Sequence, residues 1–394
     1  MACRRHVLKE FEDIAIVAFA EARNTKYSGR TVYDLAGEIL SGLVDASGIG
    51  LEDIDGLAAA PTMTEGANPF FPIFLGETLG LETKWLQGMD LGGASSIAAV
   101  HRAALAIASG ACETVAIVAA DAPSTKWTAK FDRLDAPRAG LLGPPGSFSL
   151  LMRRYDHEYG LVPEALGKIA VTQRKGAVRN PNAYEKFRRE ITMEDYFASP
   201  IISDPIRTLD CVMYLDGASG LLVTSRRNAE ERGLRYVRPA AYREVTNHRV
   251  REMQADILDT GFSVAGPAVL ADAGIAPDEV DMFHPYDDFT FAIMLKMEQI
   301  GFCGRGEGGA FILDTDLSPH GKLPLNTGGG QISAGQPGLA SGGLNLVEAV
   351  RQLMGMAGER QVPDPRNALV TGIGSIAVMR NWNVSNALVL EAAQ

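Results

Sequence analysis

The chain has 394 residues, of which 46% are hydrophobic and 22% charged, and a formal net charge of −11 at neutral pH. That length holds one large domain or two ordinary ones, and the balance is normal for a globular protein with a sizeable core. The acidic surplus argues against a nucleic-acid or anionic-membrane partner, because it offers nothing to attract a polyanion. Cys3, Cys112, Cys211 and Cys303 lie far apart with no CxxC pair, which excludes the usual zinc spacings and points to reduced thiols in a cytoplasmic protein. The opening MACRRHVLKEFED is charged and has no apolar centre, so no signal peptide is expected. No charge-free apolar stretch is long enough to cross a bilayer.

In chain order, an amphipathic helix first runs into ASGIGLEDIDGLAAAP (46–61), which reads as a glycine-capped helix end, an acidic turn and a strand. MDLGGASSIAAVHRAALAIASG (89–110) follows, with two glycines and two serines opening a long alanine-rich helix. A helix N-terminus reached through such a turn suits an anion or a nucleophile. TVAIVAAD (114–121) is an apolar strand. The stretch from about 122 to 210 is less regular, rich in Arg, Pro and Tyr, with short helical runs such as PEALGKIAVTQRKGAVRN. It reads as an insertion covering a face of the first half, as lids and substrate walls do. DGASG (216–220) fails the GxSxG spacing of a nucleophile elbow, so Ser219 is expected to be a turn residue.

AVLADAGIAPDEVDMFHP (268–285) then repeats the first pattern. Gly48-Ile49 aligns with Gly274-Ile275, and Glu52-Asp53-Ile54-Asp55 with Asp278-Glu279-Val280-Asp281. Each copy continues into a glycine-rich turn, a long helix and an apolar strand, the second copy ending in NALVTGIG (367–374). Two copies of one α/β unit, 1–225 and 226–394, are expected to pack as a pseudo-dimer.

No strand leads into GxGxxG with a following acid, and GxxxxGK[ST] and HExxH are both missing. The strongest chemical run is FHPYDDFTFAIMLKMEQIGFCGRGEGG (283–309), where His284, Tyr286, Asp287 and Asp288 gather at a strand end. Open α/β folds place ligands there. In GKLPLNTGGGQISAGQPGLASGG (321–343), the glycines after Asn326 and Thr327 free backbone amides to point at an oxyanion. Singly, each run reads better as a tight turn with capping acids. At matching ends of repeated units, they mark a site.

These two blocks, with DPIRTLDCVMYLDGASGLLVTS and VEAVRQLMG, resemble the thiolase superfamily in its sterol-carrier-protein-thiolase or lipid-transfer-protein branch, over nearly the whole chain. The resemblance implies an α/β thiolase fold, two duplicated halves in a layered αβαβα core with the 122–210 region inserted. The family's acyl-accepting cysteine falls on Gly93, and the histidine of its GHP turn on Gln336 of GQPG. Its C-terminal acid/base cysteine has no counterpart in TGIGSIAV. A thiolate at a helix N-terminus is reactive, so the architecture is kept while the nucleophile is gone. Ser95 and Ser96 have no histidine evidently placed to activate them and read as helix caps.

The chain is also similar to cysteine-less retro-aldolases of steroid side-chain degradation, which split a β-hydroxyacyl-CoA into a ketone and a shorter acyl-CoA. That resemblance makes Tyr286 of the YDxFT block a catalytic candidate, with Asp287 beside it, and puts Gln336 where a second tyrosine stands. Gly93, Ser95, His284, Asn326, Gly329 and Gly338 are the candidate substrate or oxyanion-binding residues. A tyrosine, with an ordinary pKa of about 10, needs help to act as a base, and charged Asp287 and Asp288 nearby would raise it further. His284 falls on the same side as Tyr286 but further from the turn, and Cys303 reads as a small packed thiol. No metal and no bound cofactor are expected, the coenzyme A thioester being substrate. The resemblance further implies a homodimer with TVAIVAAD at its interface. It also implies a separate DUF35 partner, an OB-fold joined to a zinc module that this chain does not contain. The alternatives are an acyltransferase forming C–C bonds without cysteine, and a non-catalytic thiolase-like subunit.

Overall fold

The computed structural model describes residues 11–126, 143–252, 256–375 and 382–393. β1 (Ile14–Glu21) leads to α1 (Val32–Ser47), which opens on a capping box of Thr31 and Asp34 and buries Leu35, Ile39, Leu40 and Leu43 at helical spacing. Gly48 ends that helix at φ 67°, a left-handed conformation that favours glycine, and donates its N–H to Val44 O. β2 (Gly56–Ala59), α2 (Phe71–Thr78), β3 (Trp85–Gly88), α3 (Ser95–Ala108) and β4 (Thr114–Asp121) follow.

The next segment carries α4 (Pro123–Lys126), α5 (Gly143–Tyr159), α6 (Pro163–Val178), α7 (Met193–Ala198) and a hairpin of β5 (Ile201–Ser203) with β6 (Ile206–Arg207). β7 (Gly217–Ser225) returns to the sheet, and α8 (Arg226–Glu231) leads to β8 (Val237–Thr246). α9 (Phe262–Ala273) ends, like α1, on a left-handed glycine, Gly274 at φ 74°. Then come β9 (Phe283–Pro285), α10 (Thr290–Ile300), α11 (Gly308–Asp314), α12 (Gly330–Ala334), α13 (Gly342–Leu353), β10 (Asn367–Ile373) and β11 (Val384–Ala392).

The strands run β3-β2-β4-β7-β1 and then β8-β11-β10-β9, the two sets meeting only through Ile16 and Val237. Matched copy to copy, β8, β9, β10 and β11 take the places of β1, β2, β4 and β7. Both copies pair the second strand with the third in parallel, β2 with β4 and β9 with β10, and the third with the fourth antiparallel, β4 with β7 and β10 with β11. Among the described residues, the second copy has no counterpart of β3. A lone parallel bridge between Phe283 and Leu325 stands there instead. α3 and α13 touch each other and strands of both copies, whereas α1 packs on β1, β4 and β7, and α9 on β8 and β11. The layers are therefore helix, sheet, helix, sheet, helix, the thiolase arrangement.

Three expectations are corrected. TVAIVAAD is β4, an inner strand hydrogen-bonded to β2 on one side and β7 on the other, so it has no free edge to offer a second subunit. The free edge on that side is β3. The inserted helices cover the second copy rather than the first, because Phe148, Leu151 and Tyr155 of α5 and Leu166 and Ile169 of α6 share a core with Phe291 and Met294 of α10. Ser219 lies fully buried inside β7, not in a turn. Among the described residues, no helix is long and apolar enough to cross a membrane, and no group of three or more His, Cys, Asp or Glu side chains could hold a metal ion.

Candidate active site

β9 ends at Pro285, and the chain turns at Tyr286 toward the N-terminus of α3. The Tyr286 N–H donates to Thr371 O at 2.8 Å, pinning the turn to β10. Its side chain is only 6% exposed. The phenol oxygen lies 3.0 Å from Ser341 Oγ, and Gln336 Nε2 donates to it at 3.3 Å. A Cβ on Gly93 would overlap Cε2 and Cζ of the Tyr286 ring and stand 2.5 Å from the phenol oxygen. Gly93 is not in the left-handed region, so its backbone does not demand glycine. The tyrosine ring does, because it fills the space that a side chain at residue 93 would take. The space over the Gly93 α-carbon is therefore taken by the Tyr286 ring. Burial raises the Tyr286 pKa above the ordinary phenol value and the charge of Asp288 adds to it, against the hydrogen bonds from Ser341 and Gln336. At neutral pH the group is a phenol, a donor.

Asp287 lies in the same turn but faces elsewhere. Its carboxylate accepts from Gln331 N at 3.0 Å, Ile332 N at 3.1 Å, Asn345 Nδ2 at 2.9 Å and Gln173 Nε2 at 2.5 Å. Four donors use its full set of acceptor sites. The glycine run does aim amides at an anion, and the anion is this protein's own carboxylate. Gly330 fits because a Cβ there would strike Gln173 and Asp287. Burial pushes Asp287 up to about 6 in spite of these bonds. Its four donors tie the turn to α6, α12 and α13, an arrangement suited to positioning.

The other candidates also brace the turn. Asn326, at φ 41°, donates from Nδ2 to Pro285 O at 3.1 Å, and Asn345 donates to the same oxygen at 2.5 Å. Gly329 packs against Ala177 of α6, and Gly338 packs against Asp121, which also accepts from Leu339 N at 3.1 Å. Ser95 Oγ accepts from Leu91 N at 2.9 Å and so ties the turn before α3, although α3 has no side-chain N-cap. Ser96 Oγ is buried without a hydrogen-bond partner. His284 is fully buried with neither ring nitrogen hydrogen-bonded, beside a polar cavity of about 10 Å³ shared with Asn326, Asn345, Glu348 and Arg351. Burial lowers its pKa to about 4, so it is a neutral imidazole. Glu348, held down at about 2 by Arg351 and Arg360 against its burial, accepts from Thr327 Oγ1 at 2.9 Å and anchors the glycine run. Cys303 is half-buried, its thiol pushed up to about 12 by burial, as an inert packed thiol should be.

Sequence reasoning missed Ser341, Asn345, Gln173 and Lys296. Ser341 lies in a run already marked as chemical, whereas Gln173 comes from the insertion and carries no local signal. Lys296 is fully buried on α10, donates to Tyr286 O and stands 5.4 Å from the Phe262 ring centre and 5.9 Å from that of Trp382. Burial lowers its pKa and raises that of Asp288, whose charge opposes the shift at Lys296.

Residues 243–385 match the family described as thiolase C-terminal domain-like. The chain is 32% identical over 365 residues to a 17-hydroxy-3-oxo-4-pregnene-20-carboxyl-CoA lyase of Mycobacterium tuberculosis, covering 86% of this chain and 91% of that protein. It belongs to the thiolase superfamily. It is also 30% identical over 391 residues to a steroid side-chain-cleaving aldolase of Thermomonospora curvata, covering 91% and 94% of the two chains. Among solved structures, an Ltp2-ChsH2(DUF35) aldolase superposes with a TM-score of 0.83 at 29% identity, over 96% of this chain and 98% of that one. Within the thiolase superfamily the chain thus groups with members named for aldol cleavage, and its residue 93 has no room for an acyl-bearing side chain.

Proposed function

We propose that this thiolase-superfamily member is a retro-aldolase that cleaves a β-hydroxyacyl-CoA with a bulky, steroid-like acyl group into a ketone and a shorter acyl-CoA. One observation carries the reading: the Tyr286 phenol stands where a nucleophilic side chain would act at the N-terminus of α3. Acyl transfer through residue 93 is sterically closed, whereas aldol cleavage needs no covalent acyl-enzyme. It needs hydrogen-bond donors for charge that develops on the thioester as the carbon–carbon bond breaks. Tyr286 is such a donor, oriented by Ser341 and Gln336. Asp287 holds α12, and with it the loop that carries Gln336.

The thioester's coenzyme A is substrate, not a resident cofactor. Its phosphates find a cation in Arg174 of α6, a buried guanidinium with no carboxylate partner among the described residues and with Arg189 nearby. The chain assembles as a homodimer through the free edge of β3, where Phe70, Ile73, Phe74 and Leu86 are exposed. A DUF35 protein, the kind named with the aldolase that superposes on it, is its second partner.

The test is incubation of the purified protein, with and without a DUF35 partner, with β-hydroxyacyl-CoA thioesters bearing ring-containing acyl groups. Mass spectrometry should find a ketone and a shorter acyl-CoA, with no mass added to the protein. A stable acyl-enzyme, or thiolysis of a β-ketoacyl-CoA instead of cleavage, overturns the reading.

A further inference from the structure

Retro-aldol cleavage moves a proton from the β-hydroxyl to the α-carbon, so the site needs an acceptor as well as a donor. Tyr286, buried beside Ser341 and Gln336, is suited to donate. A second tyrosine, Tyr214, borders the site on the extended segment 211–216. That segment is stitched to both sides of the site: Val212 N donates to Asp288 O at 3.3 Å, Leu215 N to Gln336 O at 2.9 Å, and Gln336 N to Met213 O at 3.1 Å. Tyr214 and Gln336 form a parallel bridge pair. Directly paired residues on neighbouring strands project to the same face, with Cβ atoms about 5 Å apart. Gln336 uses that face to reach the Tyr286 phenol at 3.3 Å. Leu215, the next residue, turns the other way and is fully buried against Gly335. Tyr214 is 38% exposed and Tyr286 6%, so the first is open to solvent in part and the second is buried. The charge of an ionised Tyr214 is also felt at Tyr286, which places the two within electrostatic reach.

We propose that Tyr214 is a second catalytic residue, the group that takes the β-hydroxyl proton while Tyr286 protonates the α-carbon. The proposal rests on the retro-aldolase reading. The pair carries one negative charge, held at the start by Tyr214, the more exposed phenol. The Tyr214 oxygen takes the hydroxyl proton, the carbon–oxygen bond becomes a ketone, and the α–β bond breaks. Its electron pair passes to the thioester enolate, which takes the phenol proton of Tyr286 at the α-carbon. Return of one proton from Tyr214 to Tyr286 restores the starting state, so no oxidant, reductant or co-reactant is consumed.

The test is Tyr214→Phe, assayed for kcat, KM and pH profile beside wild type and Tyr286→Phe, on a substrate the wild type cleaves. The titrating groups around the pair are Asp288, whose charge acts on Tyr286, and Lys296, which donates to the Tyr286 carbonyl. A phenolate acceptor gives the wild type a kcat that climbs on the alkaline side. In Tyr214→Phe, kcat should fall by about 10²–10⁴ with KM little changed, and the climb should disappear. Gln336→Tyr, which sets a phenol on the paired position, should restore part of kcat in the Tyr214→Phe background. Wild-type kcat in Tyr214→Phe, or a profile unchanged there but abolished by Asp288→Asn, overturns the proposal and leaves the retro-aldolase reading intact. Wild-type kcat in Tyr286→Phe removes the donor and with it both the retro-aldolase mechanism and this proposal.

Discussion

At the scale of single residues, Gly93 and Tyr286 form one device. Glycine at 93 admits the ring, and the ring puts a phenol where the superfamily's fold offers a helix N-terminus. Tyr286→Phe keeps the ring and its packing and removes the donor, so kcat should drop by about 10²–10⁴ while KM and melting temperature barely move. Steady-state kinetics and a thermal melt check both halves of that statement. Gly93→Ala tests the fit from the other side. The added methyl overlaps the ring, an overpacking that typically costs about 1–3 kcal/mol, so activity and melting temperature should fall together. Unchanged activity in Gly93→Ala would mean that the ring position is not needed. Part of this was legible through the family resemblance, which marks Tyr286 as a catalytic candidate, Gln336 as the place of a second tyrosine and Gly93 as a vacated position. Its purpose was not legible, because the ring that fills it lies 193 positions away in the chain.

At the scale of elements, the second copy's glycine run and α12 form an anion-binding turn that the chain has filled itself. Donors from α6, α12 and α13 converge on Asp287. The repeat, its glycine caps and the long central helices were readable because each is set by local periodicity and backbone conformation. The face on which the insertion packs, and the direction of the two acids, were not, since both depend on what α10 and α12 present. Two groups in this region should give the pH dependence of stability opposite signs. His284 has a folded pKa depressed to about 4 from 6.5. Its contribution is present above the unfolded value and is lost as pH falls from about 6.5 toward 4. Asp287 has a folded pKa raised to about 6 from 3.8. It favours the folded state at low pH and loses that advantage as pH rises through the same window, each effect being of the order of a few kcal/mol. They nearly offset in the wild type. Asp287→Asn removes one of them, so chemical denaturation from pH 4 to 6.5 should show a steeper gain of stability with pH in the variant. A slope equal to that of the wild type would contradict the assignment.

At the scale of the whole molecule, the two copies differ most at the end of the sheet. Among the described residues, the second copy has the Phe283–Leu325 bridge where the first has β3, so the first copy's sheet ends at an edge strand of four residues beside α2. An open strand edge with apolar neighbours invites pairing with another chain. Phe70 is 57% exposed, Ile73 54% and Leu86 37%, and they lie together because α2 packs on β3. A twofold axis through this edge would continue the sheet from one subunit into the next. It would also fix the turn before α3, since β3 ends five positions ahead of Gly93. Ile73→Asp together with Leu86→Lys puts charges where the proposed contact is dry, at positions whose exposure leaves the single chain's fold alone. Sedimentation should give two chains for wild type at micromolar concentration and one for the double variant, with the same circular dichroism. If the edge also steadies the Gly93 turn, the folded monomer should lose kcat while substrate still binds. A double variant that stays dimeric would move the interface elsewhere on the surface. A wild type that is folded, active and monomeric would show that the site at Tyr286 is complete within one chain.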